Sequence, residues 1–405
     1  MTGKFETDSR NVNQGDIFVC RQGLCFDSHD FIDDAAQKGA VGFITSKKIN
    51  GNQPCIKTPG FPVSVSLINR FYKYPQDKMI NIGITGTNGK TTVAYCLQQL
   101  LNRHFNAAYT GTLGCMFEGF HSSLMNTTPD AITLLNLMAK MNRAGVTHHV
   151  MEVSSHALDQ DRVSMIDFDI IIFTNLGQDH LDYHGNYDEY VQSKLRLVDR
   201  LKPGGTAIIN RDDATAPAIL DRCRGKAETI TFGIQSEQVN IRATHVTSSY
   251  QGGSFSVECN GEIFPVKTPL PFSFNVENSL MILAALNLIH KNLTKAADLL
   301  THVQPPPGRG EVINLPNGAT IIIDYAHNHN SLENLLDNTR QHCTGKIYTV
   351  IGVTGERLAD AESIGALCAQ RSDKVYFTCD NPLGVSLLRL LQAMCKKSRT
   401  QPLCY

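Results

Sequence analysis

The sequence predicts an α/β protein of three domains, divided at residues 1–77, 78–303 and 304–405. Three observations predict it. From residue 79 onward, strand-like apolar runs alternate with helix-patterned segments, as a parallel, doubly wound sheet requires. The stretch "GITGTNGKTT" (83–92) ends one such run in a glycine turn and opens a helix. The stretch "QPPPGRGE" (304–311) then breaks the rhythm with three prolines and two glycines, which neither a helix nor a central strand can contain.

A chain of 405 residues exceeds one ordinary core, and 42% apolar with 19% charged residues describes a globular protein. The formal net charge of −1 removes any general electrostatic attraction to nucleic acid or to an anionic membrane, so neither is expected as a partner. The twelve cysteines are scattered without a Cys-x-x-Cys pair and read as reduced thiols. "MTGKFETDSR" lacks the apolar core of a signal peptide, and no apolar run approaches a membrane span. The expected location is the cytoplasm.

In the first domain "GDIFVC" (15–20), "AVGFIT" (40–45) and "FPVSVS" (61–66) are short apolar runs between turns, and "FYKYPQDK" (71–78) suits a linker. The central domain opens with the buried-strand run "MINIGIT" (79–85) and the helix pattern "TTVAYCLQQLLNRHF" (91–105). Strands follow at "NAAYTGTLG", "THHVMEVSS" (147–155), "DIIIFTNLG" (169–177) and "TAIIN" (206–210), with helices at 131–145 and 275–289. Beyond the proline break come "ATIIIDYAH" (319–327), "KIYTVIGVTG" (346–355) and "KVYFTCDNP" (374–382), separated by helices and followed by the helix "SLLRLLQAMCKK" (386–397). This is a second, Rossmann-like unit, and it looks shortened. An open sheet of three strands exposes an apolar edge that a partner could cover.

The usual phosphate loop places four free residues between its first glycine and Gly-Lys-Ser/Thr. Here Gly86 precedes Gly89-Lys90-Thr91 by only two intervening residues. The strand–glycine–helix context is nonetheless what a phosphate site needs. Backbone N–H groups of Gly86, Thr87, Asn88 and Gly89 can converge on phosphate oxygens at a helix N-terminus. Lys90 would reach the β/γ-phosphates, and Thr91, followed by Thr92, could offer its hydroxyl to Mg²⁺. The plainer use of such a turn is to cap a helix.

Seven further stretches stand in order around this loop: "NTTPD" (126–130), "MEVSSHALDQDRV" (151–163), "FTNLGQDHLDYHG" (173–185), "SKLRL" (193–197), "GRGE" (308–311), "DYAH" (324–327) and "DNP" (380–382). Together with "TGTNGKTT" the set resembles the Mur ligase superfamily across essentially the whole chain. Within it the likeness is greatest to members that add the third residue of the peptidoglycan stem peptide. The resemblance implies a P-loop ATPase domain at the centre and an ATP- and Mg²⁺-dependent amide ligase. Such an enzyme activates the carboxylate of UDP-N-acetylmuramoyl-L-alanyl-D-glutamate as an acyl phosphate, which the amine of an amino acid attacks. Cations, metal ions and oriented donors around the transferring phosphoryl group carry that chemistry.

The same resemblance implies roles residue by residue. Lys90, Lys194, His180 and Arg309 are the expected catalytic set. Thr91, Glu152, His180 and Lys194 are expected around Mg²⁺, with Lys194 as a CO₂-derived carbamate; a lysine must be neutral to take up CO₂, which burial favours. Asn275, Asn278 and Asp324 are expected at the adenosine, and Arg309 at the phosphates when the domains close. Ser9, Asn126, Thr127, Thr128, Ser154, Gln160 and Arg162 are expected to bind the UDP-muramoyl dipeptide. Arg357, Asp380 and Asn381 fall on the acceptor side. Taken singly, most of these have a plainer use as a cap, a solvated helix face or a core histidine.

Two departures stand out. Members that add diaminopimelate carry Arg after "DNP", where this chain has Leu383, then Gly384. Leu cannot grip a carboxylate, so diaminopimelate is disfavoured and L-lysine remains open as acceptor. The chain also stops before the last segment of the family's third domain. Two other readings therefore stand beside the leading one: a ligase for a different carboxylate and amine, and an inactive relative that still binds ATP and donor.

Overall fold

The computed structural model describes residues 3–23, 26–49 and 53–397, together with the backbone of Leu403–Cys404. Its centre is an eleven-stranded sheet. Six strands run parallel side by side: Glu228–Gly233, Leu201–Asn210, Phe168–Phe173, Ile80–Thr85, His148–Glu152 and Ala107–Gly111. Their apolar residues alternate between two buried faces, as strands covered on both sides require. Ile82, Ile84, Val150 and Ile172 pack toward the helices Lys90–Leu101 and Phe274–His290. Met151, Ile171, Phe173 and Ile209 pack the other way, toward Ala131–Arg143 and Tyr187–Leu195.

Ile80–Thr85 lies between the strand that follows the first two crossovers and the strand that starts the opposite wing. The strand order reverses there, and in open α/β sheets ligands gather in the crevice at such a point, beyond the strand C-termini. The phosphate-like loop follows this strand directly.

The sheet is wider than the apolar runs predict. Ile241–Ser249, parallel to Glu228–Gly233, continues into the antiparallel strands Gly252–Cys259 and Glu262–Thr268. Their burial alternates residue by residue, so their hydrophobic signal is only half as dense as in the central strands. At the opposite edge Gly114–Phe117 and Phe120–Ser122 add two antiparallel strands.

The N-terminal region carries four parallel strands, Phe5–Glu6, Ile17–Val19, Gly42–Thr45 and Cys55–Lys57. The short apolar run "FPVSVS" is the start of the helix Phe61–Phe71. Pro62 suits a first helical turn, and Ser64, Val65, Ile68 and Asn69 form its buried face. That helix meets Ala131, Ile132 and Leu135 of the central helix Ala131–Arg143, together with Phe5, Val19 and Ile44, in one shared core.

In the C-terminal region Tyr348–Val353, Lys374–Cys379 and Leu403–Cys404 are parallel, over a core of Leu336, Ile364, Phe377, Leu390 and Met394. "ATIIIDYAH" does not join this sheet. Thr320–Ile323 pairs antiparallel with Glu311–Asn314 as a hairpin. The reason is the Asn317-Gly318 turn, where Gly318 has φ +83° and the Asn317 side chain accepts from Ala319 N at 3.1 Å. Tyr348 and Val350 stay exposed on the sheet's outer strand. Among the described residues no helix is long and apolar enough to cross a membrane.

Candidate active site

The loop after Ile80–Thr85 is tightly fixed. Gly86 has φ +147° and Gly89 φ +84°, backbone that favours glycine. A Cβ on Gly86 would lie 1.8 Å from Thr174 Oγ1, and one on Gly89 2.6 Å from Asn278 Oδ1. Thr87 N donates to Asn175 O at 2.7 Å, Asn88 N to Asn175 Oδ1 at 2.9 Å, and Thr174 Oγ1 to Asn88 O at 2.6 Å. Asn175 and Thr174 follow the neighbouring strand, so two strand ends hold one loop. Thr92, buried in the first turn of the helix, completes the segment.

Two lysines meet on this loop. Lys90 Nζ donates to Gly86 O at 2.9 Å and Thr87 O at 2.8 Å. Lys194 Nζ, reaching in from Tyr187–Leu195, donates to the same Gly86 O at 2.8 Å. Lys194 is only 2% exposed, and Tyr190 covers it with its ring 4.7 Å from Nζ. Burial, reinforced by the charge of Lys90, holds the Lys194 amine well below the usual lysine range. Burial likewise lowers Lys90, although Glu152 and Asp179 work the other way.

Glu152, fully buried at the end of its strand, is surrounded by donors. Its Oε2 accepts from Thr91 Oγ1 at 2.9 Å and Thr112 Oγ1 at 3.3 Å. Its Oε1 accepts from Tyr109 OH at 2.5 Å and Thr112 N at 2.9 Å. His180 caps the short helix Leu181–His184 with φ +52°, strained for a non-glycine residue. Burial lowers its imidazole to about 4, despite Asp179 beside it. Among the described residues no three His, Cys, Asp or Glu side chains are grouped to hold a metal by themselves. Mg²⁺ seldom asks for such a cage; one or two carboxylates with substrate phosphates and water suffice. The hard oxygens of Thr91 and Glu152 fit that requirement.

Arg309 arrives from the proline break. Its Nη2 donates to Thr91 Oγ1 at 3.3 Å, and its guanidinium lies 4.1 Å from the centre of the Tyr325 ring. Asp324 accepts from Gly310 N and Ala326 N, each at 2.7 Å, which locks the arginine's turn to the hairpin. Asn278 Nδ2 donates to Asn275 Oδ1 at 2.7 Å, and Asn275 Nδ2 to Pro271 O at 2.6 Å; both are buried, and Asn278 lies beside Gly89.

The expected donor-binding residues cluster on the other side of Glu152. Thr128 Oγ1 donates to Glu152 O at 2.8 Å and accepts from Ser154 N at 3.0 Å. Arg162 Nη1 donates to Thr128 O at 2.9 Å, and its Nη2 to Gln160 Oε1 at 2.7 Å. Thr127 pairs with Thr112 at 3.1 Å between hydroxyls, while Asn126 is exposed with no hydrogen bond among the described residues. Ser9 stays within the N-terminal region, where its carbonyl accepts from Lys38 Nζ at 3.1 Å.

Of the residues expected on the acceptor side, Asp380 and Asn381 are exposed, and Asn381 O accepts from Gly355 N at 2.8 Å, which sets the "DNP" loop against the Arg357 turn. Arg357 Nη2 donates to Asp179 Oδ1 at 2.7 Å. Asn328 Nδ2 donates to Asn88 Oδ1 at 3.2 Å. Sequence reasoning assigned nothing to Asp179, Asn328, Tyr109 or Thr112. Asp179 and Asn328 adjoin singled-out motif residues, so adjacency was a usable signal; Tyr109 and Thr112 reach Glu152 only through the fold.

Comparison with known proteins bears on the family and the fold. Residues 84–286 match the family described as the Mur ligase middle domain, and residues 308–402 the Mur ligase glutamate ligase domain. The UDP-N-acetylmuramoyl-L-alanyl-D-glutamate–2,6-diaminopimelate ligase of Geobacillus thermodenitrificans (strain NG80-2) is 34% identical over 398 residues, covering 96% of this chain and 81% of that protein. The ligase of the same name from Coxiella burnetii (strain RSA 493 / Nine Mile phase I) is 35% identical over 402 residues, with the same 96% and 81% coverage. Among solved structures, a ligase of that name superposes with a TM-score of 0.71 at 27% identity, covering 97% of this chain and 81% of that one. MurF from Acinetobacter baumannii shares the fold, with a TM-score of 0.77 at 19% identity, covering 98% of this chain and 82% of that one. The matched lengths lend no support to a partner covering the C-terminal sheet. The chain belongs to the Mur ligase family.

Proposed function

We propose that the protein is an ATP-dependent ligase that joins an amino acid to UDP-N-acetylmuramoyl-L-alanyl-D-glutamate in peptidoglycan precursor synthesis, in the cytoplasm. The observation that carries this reading is the convergence on one loop: Lys90, Lys194 and Arg309 all reach Gly86–Thr91, beside the buried carboxylate of Glu152.

The substrate carboxylate attacks the γ-phosphorus of ATP, ADP leaves, and an acyl phosphate forms. The acceptor amine, as its free base, then attacks the acyl carbon; the C–N bond forms, the acyl C–O bond to the phosphate breaks, and inorganic phosphate departs together with the proton the nitrogen loses. Backbone N–H groups of the loop and the helix N-terminus receive phosphate oxygens. Lys90 now donates to two loop carbonyls, and a phosphate is the stronger acceptor for the same amine. Arg309, whose Nη2 already reaches Thr91, would bring a planar cation to the phosphates when the domains close. Thr91, Glu152, His180 and the Lys194 carbamate would hold Mg²⁺, which neutralises charge on the transferring phosphoryl group when bound. Burial favours the neutral form of the Lys194 amine, the form that adds CO₂ and releases a proton to give that carbamate. Thr127, Thr128, Ser154, Gln160 and Arg162 would orient the donor, Arg162 with a fork suited to a carboxylate; Ser9 and Asn126 are assigned there too. Asn275, Asn278 and Asp324 would hold the adenosine.

The relatives are named for 2,6-diaminopimelate. In this chain Leu383 follows Pro382, exposed and with φ +45°. We assign an acceptor without a second carboxylate to be gripped there, L-lysine among them, with Arg357, Asp380 and Asn381 on its side.

Phosphate release from ATP, with Mg²⁺, bicarbonate and the UDP-muramoyl dipeptide, tests both statements. Release that requires the donor and L-lysine, and not diaminopimelate, is the expected result. Release with no dependence on any amino acid would reject the ligase reading.

A further inference from the structure

Among the described residues one ion pair joins the C-terminal sheet region to the central one: Arg357 Nη2 to Asp179 Oδ1, 2.7 Å. The other arginine pairs of the C-terminal region stay within it, as Arg340 with Asp373 and Arg371 with Asp337 do. Those four side chains are between 35% and 43% exposed, whereas Arg357 and Asp179 are 15% and 4% exposed. A pair so far from water gains little net stability for its own sake.

Its geometry offers something else. A guanidinium carries five N–H donors. Only Nη2 makes a hydrogen bond here; Nε and Nη1 make none among the described residues, and Nη1 lies 3.8 Å from the half-exposed side of Asp360. Asp179 thus holds one end of the guanidinium and leaves a second edge for a carboxylate. The same residue accepts from the backbone N of His180 at 3.0 Å, so it is tied to the strained turn beside the phosphate loop. Further contacts join the same two regions, among them Asn328 to Asn88 at 3.2 Å, Arg309 to Thr91 at 3.3 Å, Ser273 Oγ to Asn338 Oδ1 at 2.7 Å and Tyr250 OH to Thr339 O at 2.9 Å.

We infer that Asp179 is a positioning residue for the acceptor: it holds Arg357 across the domain gap so that the free edge of the guanidinium receives the acceptor's carboxylate only when the regions are closed. The inference rests on the ligase reading above. The acceptor is thereby captured in register with the acyl phosphate, and an open enzyme captures it poorly.

The test measures Michaelis constants for donor, ATP and acceptor in wild type, Asp179→Asn, Arg357→Gln and the double variant. Loss of a charge-assisted grip predicts an acceptor KM raised at least about tenfold in Asp179→Asn, with donor and ATP constants within about twofold. In the Arg357→Gln background the same change adds less than about twofold, because the residue acts through the arginine. Asp179→Glu, which keeps the charge, recovers part of the loss. An unchanged acceptor KM overturns the inference, and so does an effect equally large without Arg357. If Asp179→Asn does not fold, the Asp179→Glu and Arg357→Gln pair decides by the same non-additivity. Wild-type protein with no amino-acid-dependent turnover would instead remove the ligase reading and this inference with it.

Discussion

Lys194 shows how much one buried side chain can reveal. It is among the largest fully buried residues, it is a lysine, and its amine donates to the Gly86 carbonyl under the face of Tyr190. A charged ammonium there is costly, so the neutral amine is favoured, and a neutral amine is the form that adds CO₂. Arginine in its place keeps the charge at every accessible pH and cannot form a carbamate. Lys194→Arg should therefore abolish a ¹³C-carbamate signal in bicarbonate and lower phosphate release by on the order of 100-fold, the scale of losing one electrostatic stabiliser. Far-UV circular dichroism that matches wild type would show the loss to be chemical. A retained signal, or full activity in arginine form, would remove the carbamate from the mechanism. The lysine was legible in sequence only by resemblance, since on periodicity it is one more basic residue of a helix. Its burial depends on Tyr190 and on a loop more than a hundred residues away, at Gly86.

At the scale of elements, Ala131–Arg143 links the parts of the molecule. Ala131, Ile132 and Leu135 face the N-terminal sheet's core, while Leu134, Leu137, Met138 and Met141 face the central sheet. Asp130 starts the helix, accepting from Ile132 N at 3.0 Å, Thr133 N at 3.2 Å and Thr133 Oγ1 at 2.6 Å. Removing such a cap costs about 1 kcal/mol. Asp130→Ala should lower the unfolding free energy read from urea titration by about that amount and weaken donor binding through the adjoining "NTTP" turn, with ATP affinity unchanged. Equal loss of ATP affinity would show that the turn does not act locally. This helix and five of the six parallel strands were legible because each is a dense apolar run bounded by turns; Glu228–Gly233, exposed over its first two residues, carries no such run. The helix Phe61–Phe71 was less so, because "FPVSVS" alternates like a strand over six residues and only the continuation through Ile68 restores the helical period. The hairpin at Thr320–Ile323 was hidden for a different reason. Its apolar residues suit a buried strand, but Asn317-Gly318 decides their partner.

For the whole molecule, the middle of the sheet holds two histidines that a falling pH must charge. His148 and His149 pair with Ile80 and Asn81 on one side and with Ala107 and Ala108 on the other. Burial lowers His148 from 6.5 to about 4, with His290 adding to it, and lowers His149 to about 3. Each folded pKa lies below its unfolded value, so below pH 6.5 the unfolded chain binds protons that the fold refuses, and stability falls as the medium is acidified. Glu277 opposes this. Burial, with Asp212 and Asp213 nearby, raises it from 4.5 to about 7, so across pH 4.5–7 the fold retains a proton that the unfolded chain releases. His180, also lowered to about 4, adds to them, so three histidines against one glutamate leave a net gain of two protons on unfolding between pH 6.5 and 4.5. Integrated over that window this is about 5 kcal/mol lost on acidification, and the slope steepens by half below 4.5, where Glu277 no longer compensates. Urea unfolding followed by circular dichroism at pH 7, 5.5 and 4.5 should show that progression. His149→Gln, which cannot be protonated, should about halve the loss. A stability independent of pH across this range would mean that these imidazoles reach water before the sheet opens.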